Sequence, residues 1–189
     1  MANIASGVPT ADIDKLPQFA PGDTQQYGGK TYRYVRCGME NAVAAAVGCM
    51  VYYTSAACDA ITTDESDGVA SGCGSAVAGV WVLPAETVAG EIFDNFHWCW
   101  IQVTGVAIAK GVDGIVAGDS VFASIVDGEL APTHGYGGLL TGSLADDPDT
   151  IYDLGGTDAI STEQATYCCG IALSATSRGY VSVRLTGLL

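Results

Sequence analysis

Residues 97–126, HWCWIQVTGVAIAKGVDGIVAGDSVFASIV, read with residues 180–189, YVSVRLTGLL, decide the fold class of this chain. Cys99, Ile101 and Val103 share one side of the first run, and Trp98, Trp100 and Gln102 share the other. In the second run Val181, Val183 and Leu185 alternate with Tyr180, Ser182, Arg184 and Thr186. A period of two marks a strand with one face on a core and the other on water. Asp113-Gly114, Gly118-Asp119 and Asp127-Gly128 supply turns between such runs. The pattern predicts a mainly β domain, a compact β-barrel or β-sandwich of about seven to nine strands with little helix.

Further strands are expected at TYRYVRC (31–37), VGCMVYYTS (47–55), AVAGVWVL (76–83), 119–126 and YCCGIALS (167–174). The link ENAVAAA (40–46) and the segment 84–96 are each expected to hold at most a helical turn. Two long loops, 54–75 and 131–160, are rich in small, polar and acidic residues. Loops of that length in a compact domain usually serve function or contact a partner. Residues 1–30 differ from the β-rich domain, 31–189. Pro9, Pro17, Pro21 and several glycines bar a long helix or a central strand, yet Ile4, Val8, Ile13, Leu16 and Phe19 recur along the segment. It is either a frayed terminus or an extended N-terminal arm. We expect an arm docking on a neighbouring subunit or another protein, with those five residues as anchors.

With 189 residues, 49% of them hydrophobic, the chain can bury a full-sized core. Its 7 basic residues against 21 acidic ones give a net charge of −14. Nucleic-acid binding draws on cationic contacts to phosphate, so neither nucleic acid nor an anionic membrane is expected as a partner. The acidity serves solubility, or a surface that must not adhere to nucleic acid and debris. No membrane span and no signal peptide are expected from the residues present. Seven cysteines, an odd number, suggest synthesis in a reducing cytoplasm with most thiols unoxidised. Cys58 and Cys73 flank a polar loop and could pair after release into an oxidising medium, though most thiols are expected to stay free.

The sequence offers little for catalysis. His97 and Cys99 share a strand face, but Cys168 and Cys169 point oppositely, and no spaced Cys or His pair suits a structural zinc. The carboxylates Asp64, Glu65 and Asp67, and Asp146, Asp147 and Asp149, do not follow the spacing of a calcium loop. No nucleophile elbow accompanies His97 or His134, and no phosphate-cradling glycine motif occurs. Neither an enzymatic activity, a metal nor another cofactor is expected. Trp98 and Trp100 admit three readings: core packing, a subunit interface, or a platform that stacks on sugar rings.

The order of these phrases resembles the small β-rich head proteins of tailed bacteriophages, the capsid decoration or cement proteins. The residues that carry the resemblance are WIQVTG (100–105), VAGD (116–119), GIAL (170–173) and VSVRL (181–185), within residues 31–189. The resemblance implies a structural virion protein on the capsid exterior, made in the host cytoplasm, binding the major capsid protein and bracing the shell. It also implies self-association as a homotrimer or other small homo-oligomer. A head-fibre or tail-associated virion protein with a carbohydrate-binding surface is the alternative.

Overall fold

The alternating run becomes the longest strand of the molecule. The computed structural model describes residues 14–37, 47–54, 57–63, 77–82, 97–123, 129–132 and 168–186. In chain order its strands are β1 (Thr24–Tyr27), β2 (Lys30–Cys37), β3 (Met50–Tyr53), β4 (Ala60–Thr62) and β5 (Val77–Trp81). Then follow β6 (Trp98–Lys110), β7 (Ser120–Ala123), β8 (Leu130–Pro132), β9 (Cys168–Ala172) and β10 (Tyr180–Leu185). These are ten strands rather than seven to nine, and the described residues include no helix. The mainly β expectation holds, and of its two forms the chain takes the barrel.

Strands β2, β4, β3, β5 and β6 neighbour one another in that order, and β6 pairs back onto β2 to close a five-stranded barrel. The closing ladder is antiparallel, from Thr31↔Thr104 to Arg36↔Trp98. Within the barrel only β2 and β4 run parallel, through Arg36↔Ala60 and Cys37↔Ile61. Closure leaves the barrel without unpaired edges, which in an open sheet invite aggregation. The second half of β6 pairs with β10, through Val106↔Arg184 among others, and the sheet continues through β9, β7 and β8.

One strand serves both sheets because it bends at Gly105. That residue has φ +86°, and a Cβ there would stand 2.6 Å from the Gly29 carbonyl oxygen. Only glycine meets both demands without strain. The neighbouring Gln102 is 2% exposed, and its Nε2 donates to the carbonyls of Thr104 (3.1 Å) and Val106 (3.0 Å). A buried side-chain amide thus satisfies backbone acceptors at the bend.

The inward faces form one apolar cluster. Val35, Val51, Ile61, Ile101 and Val103 fill the barrel, and Ala107, Val121, Leu130, Val181 and Val183 carry the same core beneath the second sheet. Each large side chain so buried contributes roughly 1.5–3 kcal/mol relative to exposure.

Three strands lie where sequence reading placed none. β1 falls inside the segment read as an arm and forms a hairpin with β2 across Gly28-Gly29, both at positive φ (58° and 76°). β4 falls inside the small, polar and acidic stretch read as the loop 54–75, yet Ala60, Ile61 and Thr62 are buried. β8 pairs with β7 at the start of the second long loop. The remainder of that loop, the link 40–46 and the segment 84–96 lie outside the described residues. Cys58 is disulfide-bonded, whereas Cys37, Cys49, Cys99, Cys168 and Cys169 are thiols. Cys73, named from sequence as a candidate partner of Cys58, lies outside the described residues.

Candidate interaction surfaces

The outer face of the β2–β6 ladder carries Tyr32, Tyr34 and Trp100, all buried, and residues 14–23 lie across Tyr34 and Trp100. Asp14 and Trp98 exchange two backbone hydrogen bonds of 2.9 and 2.8 Å. Gly22 N–H donates to the Tyr34 carbonyl, and Tyr34 N–H donates to the Asp23 carbonyl, both at 2.8 Å. The Asp23 carboxylate accepts from Ala20 N–H at 3.0 Å, closing the turn that leads into β1. Proline-rich backbone that cannot join a ladder is thus held by a few point contacts.

Tyr34 is the centre of this patch. Its hydroxyl donates to Asp14 Oδ2 at 2.5 Å and accepts from Gln18 N–H at 3.2 Å. Burial first, and then the bond to the Asp14 carboxylate, push its ionisation well above the ordinary tyrosine range. Its ring stacks on Trp98, centroids 5.7 Å apart and planes 13° from parallel. Phe19 stands edge-on to both Tyr34 and Trp100. Such pairs contribute about 0.5–1.5 kcal/mol beyond area burial.

The residues singled out from sequence therefore divide. Phe19 packs against the chain's own Tyr34 and Trp100, whereas Leu16 is 73% exposed. Ile4, Val8 and Ile13 lie outside the described residues. Trp100 is 2% exposed beneath the arm, and Trp98 is half-buried beside it. His97 sits at the mouth of the β2–β6 ladder, where its carbonyl accepts from Cys37 N–H, while His134 lies outside the described residues. Among the described residues no group of three or more His, Cys, Asp or Glu side chains is placed to hold a metal ion. No helix among them is long and apolar enough to cross a membrane.

A cleft of about 380 Å³ opens where the β1–β2 hairpin meets β6, lined by Tyr27, Lys30, Tyr32, Trp81, Gln102 and Ile108 among others. The Gln102 nitrogen already serves two carbonyls, so its amide oxygen is the acceptor left for the cleft. Tyr32 ionises above the ordinary tyrosine range because of burial and of the neighbouring Tyr27. Sequence reading had no access to this site. Its residues come from four separated stretches, and Trp81 looks like any core tryptophan.

The third surface is the outer face of β6, β10 and β9. Val106 and Ile108 on β6, and Ile171 and Leu173 on or just after β9, all stand exposed. The register places Arg184 directly between Val106 and Ile171, and Ser182 beside Ile108. Tyr180, also exposed, pairs with Lys110, and Arg178 occupies the turn entering β10. Three of the chain's 7 basic residues thus cluster on or beside an apolar sheet face of a strongly acidic protein. No carboxylate among the described residues pairs with Arg184. No protein-family model matches this chain, and no curated protein matches it.

Proposed function

We propose that the protein is a structural virion protein, a capsid decoration protein that binds the outside of a phage head and stabilises it. The observation that carries this reading is the outer face of β6, β10 and β9. Several exposed branched side chains around an arginine with no carboxylate partner among the described residues are unusual on the free surface of a monomer and suit a protein contact. The four phrases that carry the resemblance to phage head proteins also lie side by side. Gly118 N–H donates to the Ala172 carbonyl and Ala172 N–H to the Asp119 carbonyl, both at 2.8 Å, and β10 joins β9 to β6. A net charge of −14 keeps such a clamp from packaged or stray nucleic acid. Repeated as a small homo-oligomer across a shell of major capsid protein, a weak contact gains strength by multivalency. The contact would be made on the capsid exterior after synthesis in the host cytoplasm. Gradient-purified virions should contain the protein at a fixed stoichiometric copy number, and its absence from them would overturn the proposal.

A second reading, a head-fibre or tail-associated protein that binds carbohydrate, is favoured by the cleft and not by Trp98 and Trp100. Tyr27, half exposed, offers aromatic surface, Gln102 an acceptor and Lys30 a donor, the groups a sugar ring meets in a binding site. Host polysaccharide should then change tryptophan emission in the wild type and not in Gln102→Leu.

A further inference from the structure

The barrel closes on a pair of thiols. Cys99 is opposite Val35 in the β2–β6 ladder, and Cys37, two residues further along β2, is its diagonal neighbour. Both side chains point into the barrel, both are fully buried, and their Sγ atoms lie 3.4 Å apart. That is sulfur–sulfur contact, about 1.4 Å longer than the disulfide bond length of about 2.05 Å. Free cysteine in a core commonly acts as a small apolar side chain, and one such residue would need no explanation. Two that meet across the ladder that closes a barrel are a different matter. The chain also already carries a disulfide at Cys58, so oxidised sulfur is compatible with the fold.

We propose that Cys37 and Cys99 are a modification site, a dithiol that oxidises to an internal disulfide and locks the barrel seam. The oxidant is a low-molecular-weight disulfide. Cys37 as thiolate attacks one sulfur of the oxidant and expels the first small thiol. Cys99 as thiolate then attacks the Cys37 sulfur of the mixed disulfide and expels the second. The two cysteines lose two electrons and two protons, and the oxidant becomes two thiols.

Burial and the neighbouring Cys99 push the Cys37 thiol well above its ordinary range, so the closed barrel holds little thiolate. Exchange therefore proceeds through opening of the strand ends. Cys37 is the last residue of β2 and Cys99 the second of β6, where local opening costs least. The bond would link residues 62 apart in sequence and tie the first barrel strand to the last.

The test uses the intact chain, purified under non-thiol conditions and incubated with oxidised glutathione. Unreacted thiols are then alkylated in denaturant and the digest is mapped by mass spectrometry. We expect a linked Cys37–Cys99 peptide, an intact mass lower by two hydrogens, and a higher thermal midpoint. Cys58 is the internal standard for oxidation. Alkylation of both Cys37 and Cys99 while Cys58 stays linked would overturn the proposal. A stable glutathione adduct on either residue would do the same, because a competent partner thiol resolves such an adduct.

Discussion

Phe19 meets Trp100 edge to face, ring centroids 5.1 Å apart and planes at 66°, and through that contact the proline-rich N-terminal stretch becomes part of the barrel wall. The contact turns a surface tryptophan into a buried one. Phe19→Ala should cost about 1–3 kcal/mol, less than a fully buried phenylalanine because Phe19 is only partly covered. Tryptophan emission should shift to the red as water reaches Trp100. Leu16→Ala, three residues earlier and largely exposed, should stay within about 0.5 kcal/mol. Urea titration followed by fluorescence measures both, and equal effects of the two variants would mean that the arm does not hold its place in solution.

Tyr34 makes the same region sensitive to alkali. Its ionisation is raised above the ordinary value of 10.0 by burial and by donation to Asp14, so the folded state keeps a proton that the unfolded chain releases. The stability this provides is fully present below pH 10 and is lost as pH rises towards the folded value, by up to about 1.4 kcal/mol per pH unit for each such tyrosine. Tyr32 and Tyr53 are raised in the same direction, chiefly by burial, and add to the slope. Tyr34→Phe should lose about 1–3 kcal/mol near neutral pH, because Asp14 and Gln18 lose a partner. It should also destabilise less steeply between pH 9 and about pH 11. Equal slopes for variant and wild type would show that Tyr34 does not carry the effect.

The strands that sequence reading found are those with contrast between their faces. TYRYVRC, WCWIQV and VSVRL alternate, and each lies in the expected place as β2, β6 and β10. β4 has no such contrast. Ala60, Ile61 and Thr62 are enclosed on every side, so polar Thr62 is as buried as Ile61, and a short strand buried on both faces leaves no period to read. β1 did leave a signal. Two consecutive glycines between TQQY and KTYRY are the residues of a tight hairpin turn, but their meaning depends on recognising the polar TQQY as an edge strand. The tryptophan face was readable as a face, and not as a covered one. What covers it is irregular backbone held by Asp14, Phe19 and Asp23, which no periodicity announces. The cleft and the β6–β10–β9 face depend on pairings between distant strands, so only the exposed alternation of Val106 and Ile108 hints at them.

Gly105 tests the bend that lets β6 serve two sheets. Alanine there must adopt a left-handed backbone and also meet the Gly29 carbonyl oxygen 2.6 Å from its Cβ. The conformational term alone is about 1–2 kcal/mol, and the contact adds to it by displacing the β1–β2 hairpin. Gly118→Ala is the control, because its φ is +95° but no atom lies within 4 Å of a Cβ at that position. Denaturation midpoints should fall for both and clearly further for Gly105→Ala. If Gly118→Ala is the more damaging, close packing at the bend is not what selects glycine at position 105.

Arg184 separates a docking surface from a chance collection of exposed side chains. It is solvent-exposed, it has no carboxylate partner among the described residues, and its strand neighbours are Val106 and Ile171. Replacing it should therefore change folding stability by no more than about 0.5 kcal/mol. In an interface the arginine is flanked by apolar groups that exclude water, and there an ion pair with a partner carboxylate gains strength from desolvation. Arg184→Glu should then weaken attachment to capsids by at least 2 kcal/mol, about 30-fold in affinity. Ile108→Asp, on the same face, should act in the same direction by placing a charge among apolar groups. Wild-type binding should fall only modestly with added salt, because the pair is shielded from solvent once formed. Occupancy of purified capsids, titrated with each variant at matched circular dichroism, measures these effects. Full occupancy by both variants would rule out this face as the capsid contact.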